Sequence, residues 1–292
     1  MNEDSLLAWL RLREAADARA RSATLTHRIA EVLAGRTPLR LIDLGTGTGS
    51  NIRYLAPGLP RPQQWLAVDR SAALLAELRE RSVHLDVAIE TRRLDLGTLD
   101  PSIFTGRHLV TASALLDLAS DDWLRALAGH CRTVGASALF TVTYNGWSTC
   151  VPDEPEDDWV RELLNQHQRS DKGLGGPAAG PDAVASAERA FAEAGYQVER
   201  EPSDWRLGPA GAEMQRMLVD GWAEAAAEMA PNSANAIASW RARRLAHIDA
   251  GRSHIIVGHD DLAAWPGDVG RATAPHRASA VGTPLPGSPA QT

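Results

Sequence analysis

The residues that invite chemistry begin at Asp43. An apolar run, Leu39 to Leu44, carries this acid near its end, and Gly45, Gly47 and Gly49 follow at alternate positions. The run reads as a buried parallel strand, and Ser50 to Leu55 reads as a helix. Gly45 lets the chain turn sharply off the strand, Gly47 lets a ligand approach the backbone, and Gly49 lets the helix pack near the strand. A loop at the carboxyl end of a first strand is where open α/β sheets bind their ligands. The dinucleotide fingerprint spaces its glycines G-x-G-x-x-G and turns a helix start toward a pyrophosphate. Here the spacing is G-x-G-x-G, and Asp43 precedes the first glycine by two residues. An acid at that point repels a pyrophosphate and suits a ligand that carries a cationic amine and a sulfonium.

Three further stretches place polar groups at strand ends. Trp65 to Asp69 is a second apolar run ending in an acid, followed by Arg70. Thr91 to Leu96 contains Asp95, and His108 to Leu118 contains Ser113 and Asp117. With the glycine loop, this series resembles the class I S-adenosylmethionine-dependent methyltransferases over roughly residues 1–145. The resemblance implies that Asp43 acts near the methionine amine, that Gly45, Thr46 and Gly47 pass the amino acid part and ribose, and that Gly49 belongs to the same cofactor-binding loop. It implies that Asp69 holds the ribose hydroxyls beside Arg70, that Asp95 and Leu96 meet the adenine, and that Ser113 lies beneath the methionine chain. An acid at the Asp69 position also serves dinucleotide enzymes, so Asp69 alone does not separate the two ligands.

The implied fold is α/β: a Rossmann-like, seven-stranded, mostly parallel sheet in the order 3-2-1-4-5-7-6, with the last strand antiparallel. N-terminal helices (1–36) and a helical insertion (209–250) between strands six and seven complete a single methyltransferase domain over 1–265. Residues 266–292, rich in Pro, Gly, Ala, Ser and Thr, read as a disordered tail. The activity implied is methyl transfer to a small-molecule acceptor. Two alternatives stay open: a nicotinamide-dependent oxidoreductase, and a catalytically silent cofactor-binding module.

The 292 residues carry a formal charge of −7, and no basic run invites a nucleic acid. No apolar run approaches the ~20 residues that span a bilayer. The acidic start, Met1 to Asp4, is no secretory signal, and Cys131 and Cys150 lie far apart in no metal spacing. A cytoplasmic protein without a resident metal is expected.

The elements that must position these groups follow from periodicity. Ser5 to Leu33 is helical, with a second helix from Thr24. It either covers one side of the sheet or brings Arg13, Asp17 or Arg21 to the site. Strand five reads as Ser137 to Thr143 and is followed by a loop from Asn145 to Glu156, with Asp121 capping the helix before it. Strand six runs from Tyr196 toward Leu207, and the last strand is Ser253 to His259. The acceptor side is thinner in signal. Asp117 just past strand four, Tyr144 after strand five, and His167, Arg169 and Lys172 are its candidates. The stretch from His167 to Lys172 reads either as a solvated loop or as a lid closing over the cofactor. Trp147, Trp205, Trp222 and Trp240 either stack on a planar substrate or pack in the core.

Overall fold

The computed structural model of the protein describes residues 3–267. In chain order the elements are α1 (Glu3–Ala20), α2 (Ala23–Val32), β1 (Leu39–Leu44), α3 (Ser50–Leu55), β2 (Gln63–Asp69), α4 (Ala72–Arg81), β3 (Ala88–Arg93), β4 (Leu109–Ser113), α5 (Asp121–Val134), β5 (Ser137–Val151), α6 (Asp157–Gln168), α7 (Ala183–Glu193), β6 (Tyr196–Pro202), β7 (Trp205–Leu207), α8 (Ala212–Met229), α9 (Ala234–Asp249) and β8 (His254–Pro266).

The sheet runs β3-β2-β1-β4-β5-β8-β6, with β7 also paired to β8. The first five of these strands are mutually parallel, and β8 is antiparallel to β5, β6 and β7. With β8 as the seventh strand, this is the expected Rossmann-like order, and β7 is an addition. The apolar runs of β1, β2 and β4 are buried almost throughout because helices cover both faces of a parallel sheet. One face packs Ile42, Leu66, Val110 and Phe140 under α5 and α7; the other packs Leu41, Trp65, Leu109 and Leu139 under α2 and α4.

Three boundaries differ from the sequence expectation. Strand five does not stop at Thr143 but continues to Val151, where a loop was expected. Two register shifts against β8, between Phe140 and Thr143 and between Tyr144 and Ser148, bend the strand and let it go on pairing. Val142 carries a φ of +55° in the first of these, and Asn145 and Gly146, which read as turn formers, occupy the second. The expected single sixth strand is two: Ser203 and Asp204 interrupt it, and β7 resumes on the same partner nearer its start. The last strand runs past His259 to Pro266, whose partner is Tyr196. The expected tail beyond residue 267 lies outside the described residues. Ser120, not Asp121, caps α5, with its hydroxyl accepting from the Trp123 N–H.

The helical insertion forms, as α8 and α9, between β7 and β8. A third apolar cluster lies at its base, where Val142, Tyr144 and Trp205 meet Met214, Trp222 and Trp240, with Trp9 and Leu12 of α1 against it. Trp205, Trp222 and Trp240 are thus packing residues, whereas Trp147 is 47% exposed. No helix among the described residues is long and apolar enough to cross a membrane, and no cluster of metal-ligating side chains occurs among them.

Candidate active site

The glycine loop takes the shape its sequence demands. Gly45, Gly47 and Gly49 all have positive φ, at +61°, +54° and +80°. A Cβ on Gly49 would stand 2.7 Å from Leu78 Cγ of α4, so this glycine serves helix packing. A Cβ on Gly47 would meet only Leu10 Cδ1 of α1, at 3.4 Å. The loop is tied to β2, since the Gly47 N–H donates to Asp69 Oδ2 at 2.9 Å and the Thr46 N–H to the Val68 carbonyl at 2.9 Å.

Beneath the loop lies a buried polar chain. The Thr46 hydroxyl and the Asn51 amide donate to the two oxygens of Asp43, each at 2.6 Å. Arg21 at the end of α1 donates to Asn51 Oδ1 at 2.9 Å and to the Ser113 hydroxyl at 3.0 Å. Burial pushes the Asp43 carboxyl up to about 6, against the opposing pull of Thr46, Asn51 and Arg21. Thr46 and Asn51 thus hold one Asp43 oxygen each. Arg21, weighed from sequence for the acceptor side, instead braces the floor and stacks its guanidinium 4.7 Å above Tyr54.

One cavity of about 260 Å³ opens along the carboxyl edge of the sheet. Asp43, Gly45, Thr46, Gly47, Asp69, Arg70, Asp95, Leu96 and Ser113 all line it, and Gly49 lies behind it. Asp69 accepts from the Ser71 N–H at 2.9 Å as well as from Gly47. Asp95 accepts from the Gly97 N–H at 2.7 Å, and the Leu96 carbonyl accepts from Trp123 Nε1 at 2.7 Å. These bonds fix the acids without exhausting the lone pairs of a carboxylate. Ala114, next to Ser113 on the wall, holds a φ of +51°, a strain of the kind found at ligand sites.

Two elements roof the cavity. Helix α1 contributes Leu6, Leu10, Arg13 and Asp17, and the segment after α6 contributes Lys172, Gly173 and Leu174. The segment is pinned where the Leu174 carbonyl accepts the Ser120 N–H at 2.9 Å, and the Gly173 carbonyl crowds Gly97, where a Cβ would stand 2.9 Å away. Helix α1 and the segment after α6 thus both line the cavity.

The acceptor-side candidates separate. Lys172 reaches the cavity, with its Nζ 3.4 Å from His167 Nδ1. His167 itself faces Glu228, 3.2 Å away, and Arg169 turns outward to Asp182 at 2.9 Å; neither lines the cavity. The Tyr144 hydroxyl donates to Asn165 Oδ1 at 2.9 Å, and its ring stands edge-on to His259, also off the wall. Behind Arg13, Asp17 and Trp205, both weighed from sequence, gather with His259, which sequence reasoning missed. Asp17 accepts both Arg13, through Nε at 3.0 Å, and Trp205 Nε1 at 3.0 Å, while the guanidinium sits 4.8 Å over the Trp205 ring. His259 lies 4.5 Å from the same ring, donates from Nδ1 to the Val257 carbonyl at 3.0 Å, and is pushed down to about 3 by burial, so it is neutral. A lone His in an apolar strand gave no signal; only its register opposite Tyr144 reveals its place.

Asp117 stands apart. It is 8% exposed, its Oδ1 is buried without a partner, and burial pushes its carboxyl up to about 6 despite Arg13 and Lys172. Between about pH 4 and pH 6 the native protein holds a proton that the unfolded chain has lost, so stability from this group falls as pH rises through that window. Asp117→Asn removes the titration. The variant should match wild type near pH 4 and exceed it by about 1–3 kcal/mol above pH 6. Urea unfolding at both pH values checks this, and an equal difference at each would show that the carboxyl does not titrate in this way.

No protein-family model matches the sequence, and comparison with curated proteins finds no match. Solved structures to which the chain is similar include the cyclopropane synthase MmaA2 from Mycobacterium tuberculosis, at 11% identity over 83% of each chain with a TM-score of 0.45. Phosphoethanolamine N-methyltransferase 2 from Haemonchus contortus is similar at 18% identity over 84% of this chain and 53% of that one, with a TM-score of 0.41. A SAM-dependent methyltransferase from Thiobacillus denitrificans is similar at 12% identity over 89% of this chain and 98% of that one, with a TM-score of 0.44.

Proposed function

We propose that the protein binds S-adenosylmethionine and transfers its methyl group to a small-molecule acceptor. The observation that supports this most is the convergence of four separate strand ends, at Asp43, Asp69, Asp95 and Ser113, on one cavity. The donor set fits the ligand. Gly47 lines the cavity, and its missing Cβ would meet only the Leu10 side chain of α1. A buried acid behind the loop favours an ammonium or sulfonium over a pyrophosphate, which also disfavours a nicotinamide dinucleotide.

When bound, S-adenosylmethionine supplies a methyl group activated on a sulfonium. The chain's own work is to hold and to exclude. Asp69 offers its remaining lone pairs to the two ribose hydroxyls, and Asp95 offers its own to the adenine amino group. Leu10, Leu115, Leu118 and Leu174 keep water from the space beside Ser113, and in-line methyl transfer depends chiefly on such positioning. The roof formed by α1 and Lys172 to Leu174 defines the side from which an acceptor enters.

Calorimetric titration tests this. S-adenosylhomocysteine should bind in the micromolar range, roughly −8 kcal/mol, and NAD should give no heat. Heat with NAD alone would transfer the site to the oxidoreductase reading.

A further inference from the structure

We propose that Asp261 is a positioning residue of the cofactor site, bracing its floor and offsetting the buried charge of Arg21. The site is thereby tuned to a ligand that carries a sulfonium. This rests on the methyltransferase reading above and adds to it how the chain distinguishes the charged cofactor from its neutral product.

The place comes first. Asp261 is fully buried on β8. It stands opposite the bulge of β5, between the pairs Leu262–Phe140 and Asp260–Thr143. Its Oδ1 accepts the Val142 N–H at 2.8 Å, and its Oδ2 accepts the Ser22 N–H at 2.7 Å. One carboxylate thus joins the bulge to the junction of α1 and α2. Val142 is β-branched and holds a φ of +55°, a conformation that persists only where its surroundings impose it. The preceding Thr141 pairs with Ser113, and its carbonyl accepts the Ala114 N–H at 2.9 Å. Ser113 and Ala114 both line the cavity. On the other side, Ser22 follows Arg21, whose guanidinium donates to Ser113 and Asn51.

Charge gives the second role. Arg21 is 5% exposed and has no carboxylate in ion-pair contact among the described residues; its bonds go to the neutral Asn51 and Ser113. A buried guanidinium is costly unless opposing charge lies near. Burial pushes Arg21 down, and the charges of Asp17, Asp261 and Asp43 oppose that shift. Asp17 is matched by Arg13, and Asp43 is held by Thr46 and Asn51 under the glycine loop. Arg21 is the cation whose field reaches Asp261, and no other cation pairs with that acid among the described residues. Ser113 and Asn51 line the cavity in front of Arg21. An unmatched cation behind that wall would repel a sulfonium and leave a neutral thioether almost untouched. Asp261 removes the repulsion.

Calorimetric titration of the wild-type protein and its variants with S-adenosylmethionine and S-adenosylhomocysteine tests this. The readout is the ratio of the two affinities, because the ligands differ by one methyl group and its positive charge. Asp261→Asn keeps the size of the side chain and removes its charge. It should shift the ratio against S-adenosylmethionine by about threefold or more. Arg21→Met removes the opposite charge and should shift the ratio toward S-adenosylmethionine. The double variant should return close to the wild-type ratio. A brace without the electrostatic role would weaken both ligands alike, so an unchanged ratio in either folded variant would overturn the proposal. Circular dichroism reports the fold, and Arg21→Met carries the test alone where Asp261→Asn does not fold. Failure of both ligands to bind the wild-type protein would instead remove the methyltransferase reading.

Discussion

Asp69→Ala is expected to weaken S-adenosylhomocysteine binding at least tenfold while the protein stays folded. A carboxylate offers about four lone-pair sites. In Asp69 one on each oxygen is already used, by the Gly47 N–H and the Ser71 N–H, both at 2.9 Å. The others remain for two ribose hydroxyls, and a hydrogen bond to a charged group is worth about 1.5–3 kcal/mol. The substitution also frees the Gly47 N–H, so the loop keeps only its Thr46–Val68 backbone bond to β2. Both effects act in one direction. The sheet does not depend on this side chain, because the β1–β2 register from Leu39 to Leu44 is a backbone ladder. Calorimetry measures the affinity and circular dichroism the fold. Wild-type affinity in a folded variant would remove Asp69 from the site.

The residues that line the carboxyl edge of the sheet were legible in the sequence because each of them sits at the end of a local pattern. Parallel strands buried on both faces must be written as apolar runs, so Leu39 to Leu44, Trp65 to Val68 and Leu109 to Ala112 announce themselves. The acids that follow them then fall at the ligand edge whatever the helices do. The continuation of β5 was not legible, because its bulges are made by a distant partner. Asn145 reads as a turn residue, yet its amide donates to Asp260 Oδ2 at 2.9 Å. Gly258 makes room for it: a Cβ there would fall 2.3 Å from Asn145 Oδ1. The acceptor side was illegible for a similar reason. Arg13 and Asp17 reach the cavity because Trp205, 188 residues beyond Asp17, anchors them. Lys172 reaches it because the backbone of Leu174 pairs with Ala119. His167 and Arg169, neighbours of Lys172 in sequence, are turned away by Glu228 and Asp182.

The largest change in stability is expected at the base of the helical insertion. Arg244 on α9 is fully buried. Its Nε donates to Asp157 Oδ1 at 2.8 Å, its Nη2 bonds Asp157 Oδ2, and its Nη1 bonds the Pro152 carbonyl. Trp240 Nε1 adds a bond to the same Asp157 oxygen at 2.8 Å. This pair clamps α9 to the start of α6, beside the apolar cluster that seats Trp205 and, through it, the roof of the cavity. Asp157→Ala leaves a buried guanidinium without its counter-ion and should cost about 3–5 kcal/mol. Arg244→Met should cost less, because the Asp157 side chain is 18% exposed and can turn to water. The double variant removes both charges and fills the space with an apolar chain, so it should be more stable than Asp157→Ala alone. Urea unfolding of the four proteins gives the cycle. Costs that simply add, or an Asp157→Ala loss below about 1 kcal/mol, would show that the pair is a solvated contact and not the clamp that holds α9 to α6.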